Sequence, residues 1–134
     1  MMKSLVLVSH GNFADGIKQS VEMIMGPQEN IYTVTLDPAD GLDDFREKFE
    51  QTIQKLDDFI VFSDLMGGTP NNVASRLLME GQNFELYAGM NLPMIIGFLN
   101  GQIIDEDVNI VDKARTNIIN VNEALSGLIN TENE

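Results

Sequence analysis

Short runs of apolar and β-branched residues alternate along this chain with stretches whose apolar positions recur at helical spacing. Leu5-Val6-Leu7-Val8 is the first run and ends at Ser9-His10-Gly11. An uninterrupted apolar run of this length predicts a strand buried on both faces. From about Phe13 to Met25, Ile17, Val21 and Ile24/Met25 fall on one helical face, and Gly26-Pro27 stops the pattern. Ile31-Tyr32-Thr33-Val34-Thr35-Leu36, ended by Asp37-Pro38, predicts the second strand. Leu42, Phe45, Phe49, Ile53 and Leu56 then recur at steps of three and four with charges opposite, so a helix is expected from about Leu42 to Leu56. Phe59–Ser63 is the third strand. Thr69-Pro70 supplies an N-cap and a first-turn proline for a helix through about Met79, closed near Gly81. Phe84–Ala88 is the fourth strand, and Gly89-Met90-Asn91-Leu92-Pro93 leads into another helix.

Strands separated by helices of this length predict an α/β fold: a doubly wound, mostly parallel sheet of four strands with helices on both faces. The end of the chain reads less regularly. Residues from Asp107 to about Asn117 suit a helix, Ile118-Ile119-Asn120-Val121 has strand character, and the acidic, asparagine-rich segment 127–134 is expected to fray. A terminal strand there would add to a sheet edge. No repeat or linker interrupts the 134 residues, a length that suits one domain.

Composition narrows the chemistry. The chain holds no cysteine, which removes disulfides, thiolate metal sites and a cysteine nucleophile, and fits a reducing cytoplasm. With 8 Lys+Arg against 21 Asp+Glu, the net charge is −13. Nucleic acid and anionic membrane both require a basic face, so neither is an expected partner. The acidity either steers a basic protein partner or only maintains solubility. The apolar run behind Lys3 is too short for a signal sequence, and no stretch is long enough to span a bilayer.

His10 is the single histidine, and it stands at the end of the first strand. Asp64 follows the third strand and is itself followed by Leu65-Met66-Gly67-Gly68-Thr69-Pro70. In open parallel sheets the carboxyl edge is where ligands bind, so the two side chains are expected to meet there. An aspartate accepting the Nδ1 hydrogen would leave Nε2 with its lone pair outward, ready to act as a nucleophile. The Gly67-Gly68 pair and the helix start behind it suit an anion nest. Thr69 suits either a phosphoryl contact or a helix cap. Asn91 suits either the same edge or a loop-shaping role. Phe13 and Met66 read as rim residues able to pack against a partner, with core packing the alternative for both and the preferred reading for Phe13.

Other sites are not supported. The chain lacks G-x-x-x-x-G-K-[ST] and G-x-S-x-G, and one histidine without cysteines makes no zinc site. Asp37, Asp40, Asp43 and Asp44 cluster where a helix dipole favours them, which accounts for them without a metal. No cofactor is expected.

Three segments carry a resemblance: Val6-Leu7-Val8-Ser9-His10-Gly11, Asp64 through Arg76 (Asp-Leu-Met-Gly-Gly-Thr-Pro-Asn-Asn-Val-Ala-Ser-Arg), and Ala88-Gly89-Met90-Asn91-Leu92-Pro93-Met94. The chain resembles the IIA component of the mannose family of the bacterial sugar phosphotransferase system. The likeness runs from residue 3 to about residue 100. It implies that His10 is phosphorylated on Nε2 by the phosphocarrier protein HPr and passes the group to a histidine of a IIB component, the membrane being reached only indirectly through IIC and IID components. It implies Asp64 as the partner of His10, and Thr69 with nearby amides as the phosphoryl cradle. Thr69 stands where serine is also familiar, and Met66 where some members carry tryptophan. The resemblance further implies a homodimer exchanging a C-terminal edge strand, for which Ile118–Val121 is the candidate. A phosphocarrier subunit of dihydroxyacetone kinase and a non-catalytic regulatory module of the same fold are the competing readings.

Overall fold

The structure, a computed structural model, describes residues 2–132. Four strands, β1 (Ser4–His10), β2 (Ile31–Leu36), β3 (Phe59–Ser63) and β4 (Glu85–Ala88), form one sheet in the order β2-β1-β3-β4. All three pairings are parallel. Helices α1 (Phe13–Met25), α2 (Leu42–Ile53), α3 (Thr69–Met79) and α4 (Leu92–Ile104) follow the four strands in turn. Two more, α5 (Ile110–Arg115) and α6 (Val121–Glu132), complete the described chain.

The two-residue period of each strand sorts the core into two layers. Leu5, Leu7, Ile60 and Phe62 pack with Ala14, Ile17 and Val21 of α1, Met94, Ile95, Phe98 and Leu99 of α4, and Ile110 of α5. On the opposite face Val6, Val8, Val34 and Val61 meet Phe45, Phe49 and Ile53 of α2 and Val73, Ala74 and Leu77 of α3. Phe62 is fully buried and meets Tyr87 and Phe98 edge-on, at ring separations of 5.9 and 6.0 Å. The strand order reverses direction between β1 and β3, so the carboxyl ends of these two central strands form the switch point of the sheet.

Two expectations are corrected. Helix α2 ends at Ile53, with Leu56 only partly buried beyond it. Gly68, not Thr69, is the N-cap of α3, which places Thr69 and Pro70 inside the first turn. Residues 118–120 of the candidate edge strand pair with no strand of their own chain, and Val121 begins α6, whose start is capped by the Asn120 side chain accepting from Glu123 N at 3.1 Å. Of the segment expected to fray, residues 127–132 lie in α6, while 133–134 fall outside the described residues. Among the described residues no helix is long and apolar enough to cross a membrane.

Candidate phosphoryl-transfer site

His10 and Asp64 do meet at the switch point. β1 and β3 run in register up to Val8 opposite Ser63, and Asp64 N extends the ladder by donating to Val8 O at 3.1 Å. Asp64 Oδ2 then accepts from His10 N at 2.8 Å and lies 2.6 Å from His10 Nδ1. Its Oδ1 accepts from Leu65 N at 2.8 Å. Burial pushes this carboxyl up, but the hydrogen bonds from the His10 backbone, the His10 ring and the Leu65 backbone outweigh it and hold Asp64 below the usual carboxylate range. An ionised carboxylate only accepts, so Nδ1 carries the hydrogen and a neutral ring keeps its lone pair on Nε2. The imidazole is 48% exposed against 11% for the aspartate: one end of the ring is anchored while the other meets solvent.

Backbone shape determines what surrounds Nε2. Gly67 has φ +89, a left-handed conformation that favours glycine. Gly68 has an ordinary φ of −80, so its lack of a side chain has another cause. A Cβ there would stand 2.5 Å from His10 Cε1 and 3.3 Å from Nε2. The peptide of Gly68 thus lies directly against the imidazole.

Behind this loop, the N–H groups of Gly67, Gly68 and Thr69 find no acceptor among the described residues, and neither does the Thr69 hydroxyl. Unsatisfied donors at a helix start favour an anion. With Thr69 displaced from the cap position, its hydroxyl is left uncommitted in the first turn of α3.

The remaining candidates divide. Phe13 is 48% and Met66 79% exposed, so both are surface residues, and core packing is excluded for Phe13. Asn91 is spoken for structurally: its Oδ1 caps α4 through Met94 N at 3.0 Å, and its Nδ2 donates to Ala114 O at 2.9 Å. Asp37 and Asp40 are paired with Lys48, and Asp44 accepts from Gly41 N.

Sequence reasoning missed the polar residues that brace the site. Ser9, fully buried, accepts from Ala14 N at 2.8 Å and donates to Gly11 O at 3.2 Å, tying the turn after His10 to α1. Ser63, equally buried, donates to Asn71 Oδ1 at 2.7 Å, tying the residue before Asp64 to α3. The signal was present: in each strand the serine continues an inward-facing alternation immediately before the reactive residue.

Comparison with known proteins adds what geometry alone does not. The model of the family described as "PTS system fructose IIA component" matches residues 4–119. The chain belongs to the mannose family of phosphotransferase-system IIA components. Within that family it is 30% identical over 102 residues to the fructose-specific EIIA component of Bacillus subtilis, covering 74% of this chain and 70% of that protein. It is 31% identical over 99 residues to the mannose-specific EIIAB component of Escherichia coli, covering 72% of this chain but 31% of that longer protein. The IIA fold is also matched by a PTS IIA protein associated with a fucose utilization operon in Streptococcus pneumoniae. There the TM-score is 0.83 at 28% identity, covering 93% of this chain and 97% of that one. A sigma-54 interaction domain protein of Enterococcus faecalis, 9% identical with a TM-score of 0.65, shares the fold alone. A phosphocarrier role in sugar phosphotransfer, and with it transferase chemistry, follows for this IIA protein from its family.

Proposed function

We propose that this IIA protein is a phosphohistidine carrier that takes a phosphoryl group from phosphorylated HPr onto His10 Nε2 and delivers it to a histidine of a IIB component, serving sugar uptake. The observation that carries this reading is the 2.6 Å contact between His10 Nδ1 and Asp64 on a half-exposed ring whose other nitrogen has no hydrogen-bond partner among the described residues. The incoming bond forms from the Nε2 lone pair to phosphorus as the donor's P–N bond breaks. The hydrogen on Nδ1 stays in place, and Asp64 stabilises the positive ring that results. Transfer of this kind demands alignment and charge stabilisation more than acid–base machinery. Gly67, Gly68 and Thr69 supply donors for the phosphoryl oxygens.

The open setting of His10 suits two protein partners that each present a histidine. Exposed Phe13, Leu65 and Met66 give it an apolar rim on which a protein can rest. On this reading the protein works in the cytoplasm and reaches the membrane only through IIC and IID components. It is also a homodimer. The exposed Ile118, Ile119, Val121, Leu125 and Leu128 offer the apolar surface that a second copy covers.

The test is incubation with phosphoenolpyruvate, Enzyme I and HPr, followed by mass spectrometry of the labelled chain. One phosphoryl group on His10, released by mild acid, is expected. An acid-stable label or one on another residue would overturn the assignment.

Asp64→Asn provides a second test. Three N–H donors converge on this carboxylate, and an amide offers only one accepting oxygen. Transfer should slow by about tenfold or more as the tautomer and ring orientation loosen. The same variant should flatten part of the acid limb of the stability profile. Because the folded carboxyl titrates below its unfolded value, its contribution is complete above about pH 4 and is lost as pH falls through the folded value. Unchanged transfer and an unchanged acid limb would remove both roles.

A further inference from the structure

The peptide joining Gly67 to Gly68 is the part of the site least constrained by its own covalent structure. Glycine on both sides of a peptide unit removes the Cβ barriers that normally hold its plane, so it can rotate with little opposition. Yet this unit lies where its orientation matters most, since Gly68 packs against His10 Cε1 and Nε2.

One side chain holds it. Asn72, on the first turn of α3, donates from Nδ2 to Gly67 O at 3.1 Å, while its backbone N–H donates to Gly68 O at 2.9 Å. In a trans peptide the N–H of one residue points opposite to the carbonyl before it. Fixing Gly67 O on the Asn72 side therefore sends the Gly68 N–H the other way, and that N–H has no acceptor among the described residues.

We propose that Asn72 is a positioning residue that locks the Gly67–Gly68 peptide so that the Gly68 N–H is aimed at the phosphoryl group on His10. The inference rests on the phosphocarrier reading and deepens it by naming what holds one of the cradle's donors in place. Asn72 touches neither the imidazole nor the transferred group. Its exposed side chain can be truncated without opening the core.

The test compares the full-length wild-type chain with Asn72→Ala, using phosphorylated HPr as donor and following the Gly68 amide by NMR. In the wild type the Gly68 amide proton should move sharply downfield on phosphorylation. In Asn72→Ala that movement should shrink, with the Gly67 and Gly68 signals broadened by exchange before any phosphate is added. The maximal transfer rate should fall by about tenfold while KM for the phosphorylated donor stays within about twofold, as expected when a donor is misaimed rather than a docking surface lost. A normal Gly68 displacement in Asn72→Ala, or an unchanged transfer rate, would overturn the lock. A wild-type chain that takes up no label would fail differently: it would sink the carrier reading first, and the lock with it.

Discussion

His10→Ala is expected to accept no phosphoryl group at all from phosphorylated HPr. Among the described side chains assigned to the switch point only the imidazole offers a neutral nitrogen nucleophile, and no hydrogen bond to a base activates the Thr69 hydroxyl. The fold should survive the change. The ring is half exposed, and without it Asp64 keeps two backbone partners, His10 N and Leu65 N, so its charge is not stranded. The lost hydrogen bond should lower stability by about 1 kcal/mol, leaving a cooperative thermal transition. Quantitative labelling and thermal melting check both halves. Stoichiometric label on the alanine variant would mean that the nucleophile is elsewhere.

Gly68→Ala is expected to cut the transfer rate by about a hundredfold, although alanine is the smallest possible addition. Backbone strain is not the reason, because a φ of −80 suits any residue. The reason is contact: the added methyl would meet His10 Cε1 at 2.5 Å, Leu65 Cδ2 at 3.1 Å and His10 Nε2 at 3.3 Å. The ring cannot retreat freely, since Asp64 holds Nδ1, the atom bonded to Cε1, at 2.6 Å. Either that bond stretches or the loop lifts, and both spoil the line of attack at Nε2. Gly67→Ala is the informative partner. Its Cβ would meet nothing within 4 Å, but its φ of +89 makes alanine strained, so it should lose about 1–2 kcal/mol of stability with a milder effect on transfer. Rates from rapid-quench labelling separate the two. If Gly67→Ala proved the more damaging to transfer, steric shielding at Gly68 would not be what the site requires.

Much of the architecture could be read from residue order, because burial on both faces leaves plain apolar runs such as Leu5–Val8 and Phe59–Phe62. The meeting of His10 with Asp64 was legible for the same reason: each ends a central strand, and parallel strands bring such ends together. Helix ends were harder. Thr69-Pro70 has the chemistry of a cap, but Gly68 takes that place because its extended backbone turns the chain into α3. Ile118-Ile119 carries β-branched side chains that favour strands, yet within this chain they pair with none, and Asn120 caps a helix just beyond them. The closeness of Gly68 to the imidazole could not be read at all. It depends on how a loop crosses a neighbouring strand, a relation between residues 58 positions apart. Nor could the bond from Asn72 to Gly67, since an asparagine on an exposed helical turn ordinarily does nothing but meet water.

The solitary outward nitrogen of the imidazole has a consequence for traffic. On the carrier reading a single outward nitrogen forms one P–N bond at a time, so the source of the phosphoryl group and its recipient would visit in turn, each leaving before the other arrives. A cell that oversupplies either visitor in its spent form would slow the relay by occupying the doorway, even with every molecule intact.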